Sequence, residues 1–226
     1  MKTVQLHLDT EANFFLRESF NTLRTNVLFC GTSVKTIAVT SCFAHEGKTT
    51  VSLETAKSLA EAKYRVLMID ADLRKSVVVN RYTDMSGITG LSQLLSGQAT
   101  LSDVVYQTQY PGLDMIFAGP FPPNPTELVG SDAFRSLIEE VKPQYDYIII
   151  DAPPLGLVID AAVMASVCDG AILVIHRGKV KYRAAQDVIA QIRKSGCKVL
   201  GAVLNQPMRN RGGANAETSY YKKTEA

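Results

Sequence analysis

Glu46-Gly47-Lys48-Thr49-Thr50 stands directly after an apolar run, Lys35 to Ser41, and directly before a helix-like stretch. That setting suits a phosphate loop, in which backbone N–H groups wrap a β-phosphate and the helix N-terminus adds a favourable dipole. Lys48 then bridges β- and γ-phosphates, the Thr49 hydroxyl reaches Mg²⁺, and His45, Glu46, Gly47 and Thr50 complete the nucleotide cradle. Where the general GxxxxGK[ST] pattern opens on Gly, this chain has Cys42. A GKT triplet arises readily by chance, so the surrounding elements have to carry the reading.

Two further apolar runs end in acids: Ile69-Asp70-Ala71-Asp72-Leu73-Arg74 and Ile149-Ile150-Asp151-Ala152-Pro153-Pro154. In a parallel sheet, ligands bind outside the carboxyl ends of the strands. Asp70, Asp72 and Asp151 should therefore converge on Lys48, ligate Mg²⁺ directly or through water, and supply a base for an attacking hydroxyl. A lone Asp at a strand end often only caps the next element; two such ends beside a GKT loop say more. Asp160 is left with two readings, helix cap or γ-phosphate sensor.

The elements that must hold these residues alternate. Helix-like segments are expected at about Glu11–Phe29, Gly47–Ala62, Leu91–Leu95, Leu101–Val105, Ile159–Val167 and Tyr182–Lys194. Another should start after Asn124, with Pro125 first and Glu127 third in a capping-box arrangement, and run to about Val141. Strands are expected at Lys35–Ser41, Arg65–Asp70, Leu113–Phe117, Tyr145–Asp151, Gly170–Ile175 and Lys198–Asn205. Several are nearly continuous Val/Ile/Leu runs, as when both faces are covered. The expected fold is α/β, a P-loop NTPase-like parallel β-sheet with helices on both faces.

The chain has 226 residues, enough for one domain with a large core. Its 24 basic and 22 acidic residues nearly balance, which argues against wholesale nucleic-acid binding through a concentrated basic face. Cys30, Cys42, Cys168 and Cys197 follow no metal-ligand spacing and read as reduced thiols of a cytoplasmic protein. No secretion signal is visible, and the apolar runs are strand-sized. Beyond Arg209 the composition turns polar and Gly-rich, which reads as a mobile tail.

VTSCFAHEGKTT, VLMIDADLR and YIIIDAPP resemble the Walker A, Walker A′ and Walker B motifs of the bacterial tyrosine kinases. RESFNTLRTN is similar to that family's subunit-contact helix, GPFPPNPTELVGSDAF to its GxxPPNPxELLxSxxF segment, and GAVLNQ to the end of its core. The likeness covers about residues 14–206 and points to the free-standing cytoplasmic type of capsule and exopolysaccharide loci. It implies a kinase domain over 1–206 and a flexible tail over 207–226 whose Tyr220 and Tyr221 are phosphorylated by a neighbouring subunit. It further implies ATP and Mg²⁺ as cofactors, with Lys48 and the pair Asp70 and Asp72 as catalytic residues and either Asp as the base. Thr49, Asp72 and Asp151 would hold metal. Arg74 would contact phosphate or position its loop, and Asn205 would sit where related proteins read adenine. Glu18 and Arg24 would join subunits into a ring, with Asn21 standing where the family's ExxRxxR motif has its middle Arg. The implied partners are a membrane adaptor of the polysaccharide co-polymerase type, which recruits the chain to the inner face of the membrane, and a phosphotyrosine phosphatase. Two other classes compete: a partition- or septum-type switch ATPase, and a non-catalytic nucleotide-binding regulator. Switch ATPases usually carry a signature Lys early in the loop, where this chain has Ser41, Cys42 and Phe43.

Overall fold

The structure, a computed structural model, describes residues 2–8 and 14–205. In chain order the elements are β1 (Lys2–Val4), α1 (Phe14–Leu28), β2 (Thr36–Ser41), α2 (Lys48–Glu61), β3 (Val66–Asp70), α3 (Val78–Tyr82), α4 (Leu91–Leu95), α5 (Leu101–Val104), β4 (Val105–Thr108) and β5 (Leu113–Ile116). There follow α6 (Pro125–Val129), α7 (Asp132–Val141), β6 (Tyr147–Asp151), α8 (Asp160–Ala165), β7 (Gly170–His176), α9 (Tyr182–Lys194) and β8 (Val199–Asn205).

The strands form one sheet in the order β1-β4-β5-β3-β6-β2-β7-β8. Side chains alternate across it. Ile148 and Ile150 face a cluster with Phe134, Leu137, Ile138 and Val188, from α7 and α9. Ile149 faces the other layer, with Val27, Leu53 and Leu59 of α1 and α2. Helices thus cover both faces, and the strands β2, β3 and β6 are buried along their whole length, which explains their unbroken apolar sequence.

The sheet is parallel except at one end, where β4 runs antiparallel to β5 and carries β1 parallel to itself. Three elements escaped the sequence reading. β1 is only three residues long. α3 opens on β-branched Val78 and Val79, which disfavour helix. β4 starts at Val105, a residue the periodicity had given to the preceding helix. The helix expected from Asn124 to Val141 is two helices. Gly130 ends α6, where a Cβ would lie 3.1 Å from the Thr126 carbonyl, and Ser131 begins α7. Asn124 does not cap through its side chain; its amide donates to the Glu127 carboxylate at 2.7 Å. α1 is described from Phe14, so Glu11, where it was expected to start, lies outside the described residues.

Candidate nucleotide and phosphoryl-transfer site

The loop between β2 and α2 is built by backbone that most side chains avoid. Gly47 is left-handed at φ 86°, and His45 also has a positive φ, 64°. Gly47 is the N-cap of α2 and gives it no side-chain cap, so the N–H groups of the first turn are left for an anion. Glu46 is buried and turns its carboxylate back into the loop, accepting the Cys42 N–H at 3.1 Å and a bond from the Phe43 N–H. This staple stands in for the missing first Gly. Burial pushes the Glu46 carboxyl up, against those two N–H groups and the charges of His176 and Lys179. Cys42 is fully buried, and burial beside Glu46 drives its thiol up to about 11, so it is inert packing.

The opposite wall comes from the segment after β6. Thr40 Oγ1 donates to the Pro153 carbonyl at 2.7 Å and accepts the Leu155 N–H at 3.1 Å. Gly156 then passes so close that a Cβ there would lie 2.2 Å from the Cys42 carbonyl oxygen. Gly156→Ala should therefore shift the phosphate loop without touching a ligand. We expect a loss of about 1–3 kcal/mol in stability, read by chemical denaturation, and a weaker affinity for ATP in a direct titration.

The three acids meet at Lys48. Lys48 Nζ lies 3.0 Å from Asp72 Oδ2 and 3.8 Å from Asp151 Oδ1. Burial opposes the Lys48 charge, but Asp151, Asp72 and Asp70 outweigh it and raise its pKa. Asp70 and Asp151 are register partners on neighbouring strands, both fully buried. Burial, with the Asp151 charge, raises Asp70 to about 7, against the Ser76 hydroxyl that donates to its Oδ2. Burial likewise raises Asp151, against Lys48 and hydrogen bonds from Thr49 and Ser52. Asp70 Oδ1 and Asp151 Oδ2 have no hydrogen-bond partner. Buried oxygens left this way suit a cation or its bound water. Among the described residues, no group of three or more His, Cys, Asp or Glu forms a metal cage of its own. Thr49, Asp72 and Asp151 are the side chains that could hold Mg²⁺, an ion commonly bound by one or two protein oxygens plus substrate phosphates.

Other expected residues fall as follows. Arg74 forks onto Asp160 at 2.7 and 3.2 Å and donates to Thr126 at 2.7 Å, tying the Asp72 loop to α6 and α8. Burial would raise Asp160, but the Arg74 and Thr126 bonds hold it low. Asp160 is the first residue of α8 rather than its cap. Asn205, at the end of β8, donates to the Glu46 carbonyl at 2.8 Å and packs on Gly47, so it braces the phosphate loop. Thr50 bonds the Tyr82 hydroxyl at 2.8 Å. Glu18 accepts from Asn21 at 2.9 Å, and Arg24 donates to the Ser58 carbonyl and hydroxyl at 2.9 and 3.0 Å. Both α1 residues thus make contacts inside the chain. Tyr220 and Tyr221 lie outside the described residues. The sequence reading missed Ser52, Ser76, Tyr82 and Thr126. Ser52 alone left a signal, lying one helical turn beyond Lys48.

The protein-family profile described as an AAA domain matches residues 34–199. Tyrosine-protein kinase CpsD of Streptococcus agalactiae is 44% identical over 189 residues, spanning 84% of this chain and 82% of that protein. The solved kinase domain of Escherichia coli tyrosine kinase ETK superposes with a TM-score of 0.83 at 31% identity, over 91% of this chain and 80% of that one. The septum site-determining protein MinD of Pyrococcus horikoshii, solved with Mg-ADP, superposes less well, with a TM-score of 0.65 at 26% identity over 79% and 72% of the two chains.

Proposed function

Because the chain belongs to the bacterial tyrosine-protein kinases, built on an AAA-type domain, we propose that it moves the γ-phosphoryl group of ATP to Tyr220 and Tyr221 of a neighbouring copy, in the service of capsular or exopolysaccharide synthesis. The observation that carries this reading is Lys48 held 3.0 Å from Asp72 at the N-terminus of α2, beside two more buried carboxylates.

The phosphates sit on the first-turn N–H groups of α2, and Lys48 exchanges part of its contact with Asp72 for the β- and γ-oxygens. Mg²⁺, when bound, neutralises charge developing between those oxygens. Asp72, its contact with Lys48 loosened, faces the cleft and accepts the tyrosine proton. Asp70 lies deeper, fixed by Ser76, and sets the local charge balance. Glu46 and Asn205 keep the loop in shape, and Arg74 holds the Asp72 loop against α8.

Exposed tyrosines on a tail can reach a neighbouring active site, whereas buried ones cannot. The proposed assembly is a ring joined through Glu18 and Arg24 of α1, with Asn21 where the family motif has its middle Arg. No helix among the described residues is long and apolar enough to cross a membrane. A membrane adaptor of the polysaccharide co-polymerase type would recruit the chain to the membrane, and a phosphotyrosine phosphatase would reset it. The weaker likeness to MinD, with no Lys at residues 41–43, sets the switch-ATPase reading behind the kinase.

Incubating the chain with ATP and Mg²⁺, with and without a cytoplasmic adaptor peptide, and mapping phosphotyrosine by mass spectrometry tests the proposal. Phosphate on Tyr220 or Tyr221 is the expected result. ATP hydrolysis with no phosphotyrosine under either condition would overturn it in favour of a switch ATPase.

A further inference from the structure

The mouth of the cleft carries two cations that the chemistry above does not use. Lys75 follows the Asp72 loop and Arg81 lies in α3; both are exposed and both line the cleft. The third cation there, Arg74, is committed to Asp160. Among the described residues, no carboxylate pairs with Lys75 or Arg81. The Lys75 backbone N–H donates to Asp72 Oδ1 at 3.0 Å, which fixes the point from which its side chain leaves, beside the proposed base. The Arg81 guanidinium lies over the Tyr82 ring, 5.3 Å from its centroid, and Tyr82 is itself bonded to Thr50 of the phosphate loop.

Sheet order decides what these cations meet. In the run β3-β6-β2-β7-β8, the phosphate loop leaves the middle strand, β2. Asn205 ends the strand on one flank, while Asp72, Lys75 and Arg81 follow β3 on the other. With phosphates on α2, a hydroxyl that gives its proton to Asp72 has to enter from the β3 flank. The cleft there also has apolar lining from Val77, Leu157 and Val158, suited to a phenol ring. An apolar wall with two cations beside the base that no carboxylate among the described residues neutralises fits an aromatic acceptor that has an anion next to it.

We propose that Lys75 and Arg81 select the acceptor, favouring a tyrosine whose neighbour is anionic, either a carboxylate or the phosphate of an already modified tyrosine. This rests on the kinase reading. Tyr220 and Tyr221 are adjacent in sequence, so the first phosphate creates the preferred neighbour for the second. The pair is then modified in order, the second step faster than the first.

The test uses the full chain, ATP and Mg²⁺, and synthetic peptides that share one acceptor tyrosine, with Ala, Glu, phosphotyrosine or Lys beside it. Initial rates of phosphate incorporation should give kcat/KM about three-fold higher for Glu than for Ala, and about ten-fold higher for phosphotyrosine. In Lys75→Ala/Arg81→Ala both ratios should fall to near one, with KM for ATP unchanged. Lys75→Glu/Arg81→Glu should reverse the order and favour the Lys peptide, which a folding defect does not mimic. Equal wild-type rates on all peptides would overturn the proposal. So would a raised KM for ATP with the preference intact, because the cations would then belong to the nucleotide. Phosphotyrosine on none of the peptides would sink the kinase reading beneath it.

Discussion

Lys48→Met should lower tyrosine phosphorylation by about 10³-fold while leaving a folded chain. A preorganised charge aimed at a developing oxyanion in a dry site contributes about 10²–10³ in rate on its own, and Lys48 also holds the phosphates in place. Met keeps the length and apolar stem, so the packing around this nearly buried side chain survives. Lys48→Arg should be almost as inactive, because a planar fork does not fit where a compact ammonium sits between Asp72 and Asp151. Phosphate incorporation, with circular dichroism as the folding control, checks both variants. Retention of more than about a tenth of the wild-type rate in Lys48→Met would remove Lys48 from the mechanism.

Asp70→Asn should remove activity and yet stabilise the nucleotide-free chain at about pH 8. Asp70 is fully buried opposite Asp151, and its carboxyl is raised from 3.8 to about 7. Between those values the native chain holds a proton that the unfolded chain has released. Stability therefore falls as pH rises through that window, by up to about 4 kcal/mol, and is fully retained only below it. Asp151, raised in the same direction, adds to the fall. Asn carries no charge to desolvate and still accepts the Ser76 bond. Denaturation at about pH 5 and pH 8 should show a large loss for the wild type and a much smaller one for Asp70→Asn. Equal losses in both would place the strain elsewhere. That outcome would show the site held at a cost in stability, as is common where function needs buried like charges.

Much of this was legible in the sequence. The buried strands β2, β3 and β6 announce themselves as apolar runs, and acids at the ends of two of them locate the site. Asp70, Asp72 and Asp151 meet Lys48 as their positions implied. What escaped notice depends on tertiary contact. Residues 71–112 hold short elements whose geometry is set by packing, so α3 and the antiparallel β4 left no periodic trace. The helix expected to run on past Gly130 breaks there, beside Val163 of α8. Arg24 is spent on Ser58, and Asn205 on Glu46, because of where neighbouring elements place a carbonyl, which no spacing rule records.

The strand order also has a kinetic side. The phosphate loop leaves β2, yet β2 pairs with β6 and β7, and Val39 stands opposite Asp151, more than a hundred residues further along the chain. Such non-local pairing makes for slow folding, since loop closure has to come before the contacts that reward it. A nascent chain on the ribosome has displayed its whole GKT segment long before Asp151 is synthesised. It has neither the strand β6 that pairs with β2 nor the acid that faces Lys48. ATP chemistry should therefore switch on only after most of the domain has emerged, and a fragment ending before β6 should show no ATP turnover.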